Sequence, residues 1–173
     1  TDFIPTDWRR GADAAVLEAK LREDKGHAIK AVCVVHNETS TGATSRIGLV
    51  RKAMDAANHP ALLLVDTISS LGSIDYRHDE WGVDVTVAGS QKGLMLPPGL
   101  SFNAVSEKAR KASAAAKLPR SYWGWDEMLA AFTRAVELNP RHPDVLQDAG
   151  RVAAYLRRYA EAARYYDRAV AAA

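Results

Sequence analysis

A lysine and an aspartate that each follow a short apolar run are the residues best placed to do chemistry. Lys92 lies in the run Gly-Ser-Gln-Lys-Gly at 89–93, and Asp66, 26 residues earlier, closes the run Leu-Leu-Leu-Val-Asp at 62–66. Such runs are typical of buried parallel strands, and the ends of those strands are where open α/β sheets bind ligands. There, an amine can form a Schiff base and a carboxylate can pair with a pyridine nitrogen, which suits pyridoxal phosphate chemistry.

Both residues also have an ordinary structural interpretation. A single lysine is most often a solvated surface cation, and an aspartate such as Asp66 commonly caps a turn or a helix. The glycines beside Lys92 and the Pro-Pro-Gly at 97–99 favour a tight loop with a fixed backbone. An amine held in a partly desolvated pocket loses its proton more readily, and this favours the functional interpretation.

Neighbouring side chains could complete such a site. The polar loop 36–42 carries Ser40 and Thr41, whose hydroxyls could contact a ring oxygen or a phosphate, or could simply form a turn. Gln91 is a neutral donor suited to a phosphate oxygen. Ile68 could pack flat against the face of a ring, although a core role fits it equally well.

Hydrophobic patterning predicts the elements that must position these residues. Three helices and four strands are expected, the helices at 13–25, 45–58 and 107–117 and the strands at 29–35, 61–65, 83–88 and 100–105. Their alternation predicts βαβ units, a largely parallel sheet and therefore an α/β fold. Because βαβ connections share one handedness, the loops that begin at His36, Asp66 and Gly89 should converge at one edge of the sheet.

A different pattern begins after about residue 128. Phe132 and Tyr166 are 34 positions apart, as are Ala135 and Ala169, and 34 residues is the period of tetratricopeptide repeats. Pro140 closes the first, partial unit, so residues 128–173 resemble about one and a half repeats. The chain is therefore predicted to divide into an α/β part, 1–127, and a C-terminal α-helical tetratricopeptide-like hairpin, 128–173, that could bind a protein partner.

Composition narrows the class of protein. The chain has 173 residues, of which 47% are hydrophobic and 25% charged, as in soluble globular proteins. A net charge of +2 and dispersed tryptophans argue against a nucleic-acid partner. No apolar stretch approaches the ~20 residues of a membrane span, and the histidines lack the spacing of metal ligands. Cys33, the single cysteine, is predicted to be a small core residue and fits a reducing, cytoplasmic location.

Three motifs in order resemble those of class V pyridoxal-phosphate aminotransferases, in particular the serine–glyoxylate and alanine–glyoxylate enzymes. They are His-Asn-Glu-Thr-Ser-Thr-Gly at 36–42, Val-Asp-Thr-Ile-Ser-Ser-Leu-Gly at 65–72 and Gly-Ser-Gln-Lys-Gly-Leu-Met-Leu-Pro-Pro-Gly at 89–99. The pair Tyr122 and Trp123, with Trp125, is similar to the serine–glyoxylate members. The resemblance covers about residues 1–128 and implies part of the large domain of the aspartate aminotransferase-like fold, fold type I.

The resemblance also implies a role for each candidate residue. Lys92 would carry the covalent link to pyridoxal 5′-phosphate and move a proton between the substrate carbon and the cofactor. Asp66 would keep the pyridine nitrogen protonated, and Ile68 would pack against the ring. The remaining contacts to the cofactor would come from Gln91, Ser40 and Thr41. The implied reaction transfers an amino group from serine or alanine to glyoxylate, in a homodimer.

Some elements of the family lie outside the matching motifs. These are a glycine- and serine-rich phosphate loop, an aromatic residue that stacks on the ring, and an arginine that binds the substrate carboxylate. Arg120, Arg134 and Arg141 could supply such a cation but match no family motif. Three interpretations therefore stay open: an aminotransferase in an incomplete or fused form, a tetratricopeptide-type interaction module, and a catalytically inactive fusion fragment.

Overall fold

Helices and strands alternate up to residue 66 in the first of the two units, Thr1–Ala104 and Val105–Ala173, that make up the computed structural model. The structure describes residues 1–118, 124–155 and 159–172. The elements in order are α1 Ala14–Glu23, β1 Ala31–Val35, α2 Ile47–Ala56, β2 Leu62–Asp66, β3 Val85–Gly89 and β4 Ser101–Val105. The predicted alternation is present from α1 to β2, whereas β2, β3 and β4 follow one another without a helix between them. The observed elements differ from the predicted ones only by a few residues at their ends.

The four strands form one sheet in the order β1-β2-β3-β4. The β1–β2 and β2–β3 pairs are both parallel, and their register sets Val35 beside Asp66 and Asp66 beside Val87. The carboxyl ends of these three strands therefore lie at the same edge of the sheet. This confirms the predicted parallel α/β sheet and places the starts of the three motif loops at that edge.

One face of the sheet carries the apolar core of this unit. The core cluster joins α1, α2 and the middle of the sheet through Leu17, Leu21, Ile47, Val50, Met54, Ala61, Leu63, Val65 and Val83. Along β1, Val32 and Val34 pack against this cluster, whereas Cys33 is exposed. The prediction that Cys33 is a core residue is therefore wrong, because side chains alternate along a strand and Cys33 falls on the opposite face.

The second unit is helical after the last residue of β4. Its helices are α3 Glu107–Ala114, α4 Trp125–Leu138, α5 Pro143–Tyr155 and α6 Tyr159–Ala172. Val136, Leu146, Ala149 and Ala169 form its core. A Cβ on Gly150 would lie 2.8 Å from Cε1 of Tyr166, so α5 approaches α6 closely at that glycine.

The contact of Gly150 with Tyr166 sets one small residue of α5 against one large residue of α6. Membership of the tetratricopeptide family, and the boundary predicted at residue 128, stay predictions. Arg120, Tyr122 and Trp123 lie outside the described residues. Among the described residues, no helix has the length and hydropathy needed to cross a membrane.

Candidate functional site

Asp66 is the last residue of β2, and its side chain is exposed at the carboxyl edge of the sheet. Its Oδ1 accepts a hydrogen bond from the backbone N–H of Ile68 at 2.8 Å, and its carbonyl accepts one from the N–H of His36 at 2.9 Å. The next residue, Thr67, is fully buried and donates to the Val87 carbonyl from both its N–H, at 2.8 Å, and its Oγ1, at 2.9 Å. The turn cap proposed for Asp66 is therefore present, and the carboxylate that makes it is held at the exposed end of the strand.

The loop that carries Lys92 is closed by the buried residue Ser90. Ser90 makes hydrogen bonds within the loop with both its side chain and its backbone. Its hydroxyl donates to the Pro97 carbonyl at 2.6 Å, its backbone carbonyl accepts from the N–H of Leu96 at 3.0 Å, and its backbone N–H donates to the Leu100 carbonyl at 3.1 Å. These bonds fix the loop at its base and leave Gln91, Lys92 and Met95 exposed. The Lys92 side chain is exposed, and within the described ranges no carboxylate pairs with its ammonium.

Two glycines pack the Lys92 loop against the loop that follows Asp66. A Cβ on Gly93 would collide with the carbonyl oxygen of Leu71 and with the hydroxyl of Ser73. Gly72 has a φ of +82°, and a Cβ there would lie 2.9 Å from the Gly93 carbonyl oxygen. The two loops therefore meet backbone to backbone, so the loop that carries Lys92 packs against the loop that begins after Asp66.

A third glycine brings Ile68 and Gln91 to the same point at the end of β3. Gly89 is buried, and a Cβ on it would lie 3.4 Å from Cδ1 of Ile68 and 2.9 Å from Oε1 of Gln91. Since Gln91 directly precedes Lys92, four of the six predicted site residues are gathered at one edge of the sheet. The absence of a side chain at Gly89 lets the apolar Ile68 and the amide of Gln91 both pack close to its backbone.

Ser40 and Thr41 use their hydroxyls inside their own loop. Ser40 Oγ donates to Oε1 of Glu38 at 2.7 Å, and Thr41 Oγ1 accepts from the N–H of Ala43 at 3.3 Å. Hydrogen bonds from the Ser40 backbone and side chain hold the pKa of Glu38 below its usual value. The structure thus gives both residues the turn chemistry that was their alternative interpretation, and their contact with a cofactor stays a prediction.

Asn37, to which the sequence assigned no separate role, ties the first loop to the second. Its Nδ2 donates to Ser69 Oγ at 3.0 Å, and Ser69 Oγ donates to the Asn37 carbonyl at 2.8 Å. Thr44 Oγ1 in turn donates to Oδ1 of Asn37 at 3.0 Å. The loops after β1 and β2 therefore form one connected structure.

His36 makes the second link between these loops, and sequence reasoning missed it. Its Nδ1 lies 2.9 Å from Ser70 Oγ, and both residues are buried, with exposed fractions of 2% and 0%. The imidazole also contacts the rings of Tyr76 and Trp81, at centroid distances of 5.2 and 6.0 Å. Its position directly after an apolar strand was the one available signal, because nothing in the sequence pairs it with a serine 34 residues away.

Acid is expected to destabilise the fold through His36. Burial lowers the pKa of its imidazole below the ordinary value of 6.5, and Asp75 opposes this shift in part. Because the unfolded chain then binds the proton more readily, the contribution to stability is complete above about pH 6.5 and is lost as the pH falls from there towards the folded-state pKa. Denaturant unfolding between about pH 8 and 5 should show the free energy of unfolding decreasing, by at most about 1.4 kcal/mol per pH unit for this one group.

The matched control for this pH dependence is a histidine that is exposed. His36→Asn should remove the contribution of His36 to the pH dependence of the free energy of unfolding. His142→Asn, at an exposed position of the second unit, should leave that pH dependence unchanged. An unchanged slope in His36→Asn would contradict the assignment.

The side chains at this edge fit the ring side of pyridoxal phosphate. An exposed carboxylate can pair with a protonated ring nitrogen, an apolar branched side chain can cover a ring face, and an amine can react with a carbonyl carbon. Asp66, Ile68 and Lys92 supply these three groups, and Ile68 and Gln91 both pack close to Gly89 at the end of β3.

Comparison with known proteins identifies relatives of the first two thirds of the chain. The family described as Aminotransferase class-V matches residues 3–118. The L-aspartate–glyoxylate aminotransferase of Paracoccus denitrificans is 52% identical over 132 residues, which are 76% of this chain and 33% of that protein. The serine–glyoxylate aminotransferase of Methylorubrum extorquens is 56% identical over 126 residues, 70% of this chain and 31% of that protein.

A solved structure shares the fold over about two thirds of the chain. The crystal structure of alanine–glyoxylate aminotransferase from Nostoc sp. is 32% identical and superposes with a TM-score of 0.61, covering 69% of this chain and 30% of that one. The match spans about a third of the length of each of these relatives.

Proposed function

Since the chain belongs to the class V aminotransferase family, we propose that it provides the pyridoxal-phosphate-binding edge of a transaminase acting on glyoxylate. The observation that supports this proposal is the backbone contact between Gly72 and Gly93, which packs the loop that carries Lys92 against the loop that follows Asp66. The names of the relatives give aspartate and serine as amino donors of those proteins. For this chain we propose serine or alanine as the donor and glycine as the product.

Each residue at the edge has a distinct task in this proposal. Pyridoxal phosphate, when bound, supplies a conjugated ring that withdraws electrons from the substrate carbon. The Asp66 carboxylate holds a proton on the ring nitrogen, and Ile68 covers one ring face and excludes water from it. The Lys92 amine would hold the cofactor and would take up and return the proton of the substrate carbon.

The phosphate contacts are proposed on the chemistry of the donors. Gln91 offers an amide N–H beside Lys92, and Ser40 and Thr41 offer hydroxyls from the loop after β1. Ser40 would have to exchange its hydrogen bond to Glu38 for one to the cofactor. The exchange changes the free energy little, since one hydrogen bond replaces another.

The proposed active form is a homodimer in the cytoplasm. Because the match spans about a third of each relative, residues beyond this edge would complete the phosphate and substrate-carboxylate contacts. Binding of a carboxylate requires a fixed cation, usually an arginine. Cys33 is an exposed, free thiol, which is compatible with a reducing compartment.

Cofactor titration followed by chemical trapping tests the proposal. Pyridoxal phosphate added to the 173-residue chain should produce a visible absorption band, and borohydride should then fix the label on the peptide that contains Lys92. The expected result is one dominant labelled site in the folded chain and scattered labelling in urea. Equal labelling of exposed lysines such as Lys25 and Lys52 in the folded chain would contradict a specific site and would favour the inactive-fragment interpretation.

A second function is proposed for residues 128–173 on the contact of Gly150 with Tyr166. In this proposal the segment is tetratricopeptide-like and docks a protein partner. Because such repeats gain stability from their neighbours, the segment must first be shown to fold. Circular dichroism of residues 105–173 should show a cooperative helical transition, and a chain without helix would contradict a separate module.

A further inference from the structure

The turn Thr67–Ser70, which directly follows Asp66, is held at both ends. At its start, Thr67 donates twice to the Val87 carbonyl of β3, and the Asp66 carbonyl accepts from His36 N. At its end, Ser70 Oγ shares a hydrogen bond with His36 Nδ1. The backbone and the side chain of His36 therefore bracket the turn.

The His36 imidazole has little freedom to move. It is almost fully buried against the rings of Tyr76 and Trp81, which contact each other at a centroid distance of 5.5 Å. The carbonyl of His36 accepts from Ser45 N at 2.8 Å, so its backbone is fixed on both sides. A ring held in this way can fix the position of the Ser70 hydroxyl that it contacts.

The Thr67–Ser70 turn orients the Asp66 carboxylate. The N–H of Ile68, inside the turn, donates to Oδ1 of Asp66 at 2.8 Å. Ser70 also binds the backbone further on, because its carbonyl accepts from Ser73 N and Ile74 N, each at 2.9 Å. Any shift of Ser70 is therefore transmitted both to the Asp66–Ile68 pair and to the segment next to Gly72.

We propose that His36 is a positioning residue that acts through Ser70 to orient Asp66 and Ile68 towards the cofactor. The inference rests on the proposed function, which supplies the ligand, whereas His36 and Ser70 themselves touch no ligand. The imidazole does not react; it fixes the turn that presents the carboxylate and the apolar side chain. Because a misplaced carboxylate pairs poorly with a ring nitrogen, loss of this support should weaken cofactor binding without removing any contact atom.

A double-mutant cycle in the full chain tests the route through Ser70. His36→Phe keeps a planar ring but loses Nδ1, and Ser70→Ala loses the hydroxyl. Each is expected to weaken pyridoxal phosphate binding about tenfold, as for one lost hydrogen bond, and the double variant no more than either one alone. His36→Asn carries a polar atom as many bonds from Cα as Nδ1 is, and should restore binding to within about threefold of the unaltered chain.

A histidine elsewhere in the unit provides the matched control. His59 is also buried, precedes β2 at the end opposite Asp66, and lies 3.2 Å through Nε2 from Asp24 Oδ2. His59→Phe should lower thermal stability while leaving cofactor affinity unchanged. Additive effects in the cycle, or an equal loss of affinity in His59→Phe, would overturn the proposal and leave a general packing role.

A cofactor-free measurement separates this inference from the proposed function. The amide proton signal of Ile68 reports its hydrogen bond to Asp66, and it should shift in His36→Phe and Ser70→Ala but return in His36→Asn. If the unaltered chain binds no pyridoxal phosphate, the proposed function fails while this signal still decides the positioning role. An Ile68 signal unchanged in both variants would overturn it.

Discussion

Replacing Lys92 with alanine is expected to abolish the visible band with pyridoxal phosphate and to remove the borohydride label at this position. If the assembled protein transaminates, the rate should fall by at least about a thousandfold, because a covalent nucleophile and a general base are lost together. The fold should be retained, since the side chain is exposed and pairs with no carboxylate in the described part of the chain. Absorption spectra, peptide mapping and a transamination assay measure the three effects.

The control for Lys92→Ala is another exposed lysine of the same unit. Lys52 lies on α2, away from the carboxyl edge of the sheet, and Lys52→Ala should leave the band, the label and the rate unchanged. Full transaminase activity in Lys92→Ala, with the protein folded, would refute the role assigned to the lysine. An effect of equal size in Lys52→Ala would show that labelling is non-specific.

Gly93→Ala is expected to destabilise the first unit and to displace the loop that carries Lys92. The added Cβ would lie closer to the Leu71 carbonyl oxygen and to the Ser73 hydroxyl than van der Waals contact allows. The Leu71 oxygen belongs to the backbone and cannot rotate away. Overpacking of this kind costs about 1–3 kcal/mol. Because the loop must move to relieve the contact, labelling at Lys92 should fall more than stability alone explains.

Gly26→Ala is the matched control for this substitution. No atom lies within 4 Å of a Cβ built on Gly26, so the same chemical change meets open space there. Thermal unfolding and borohydride labelling of the two variants, side by side, separate a general glycine effect from the contact at Gly72. Wild-type stability and labelling in Gly93→Ala would show that the two loops do not depend on their backbone contact.

The sequence was most informative where local pattern and topology act together. Apolar runs that end in Val35, Asp66 and Gly89 were sufficient to predict three strands, which the structure shows to be parallel, because such runs are typical of parallel sheets. Their common edge followed from the handedness of βαβ connections. The same reasoning failed for Cys33, since a continuous apolar run does not reveal which of its two faces is covered.

Contacts between distant residues could be found only in the tertiary structure. The pairs His36–Ser70 and Asn37–Ser69 join residues 34 and 32 positions apart. Neither pair follows a local periodicity that a pattern could detect. The hydroxyls of Ser40 and Thr41, for which the family resemblance implies a position near a cofactor, are hydrogen-bonded to Glu38 and Ala43 within their own turn.

The sequence by itself determined the chemistry, since the residue types at Lys92 and Asp66 and their positions after two strands specify an amine and a carboxylate at one sheet edge. Only the tertiary structure decided how the two loops are joined. It packs Gly72 against Gly93 without a side chain between them and ties the Asp66 turn to a buried His36. The physical reason is that chemistry depends on which groups are present, whereas their placement depends on close packing, which is set by atoms far apart in the chain.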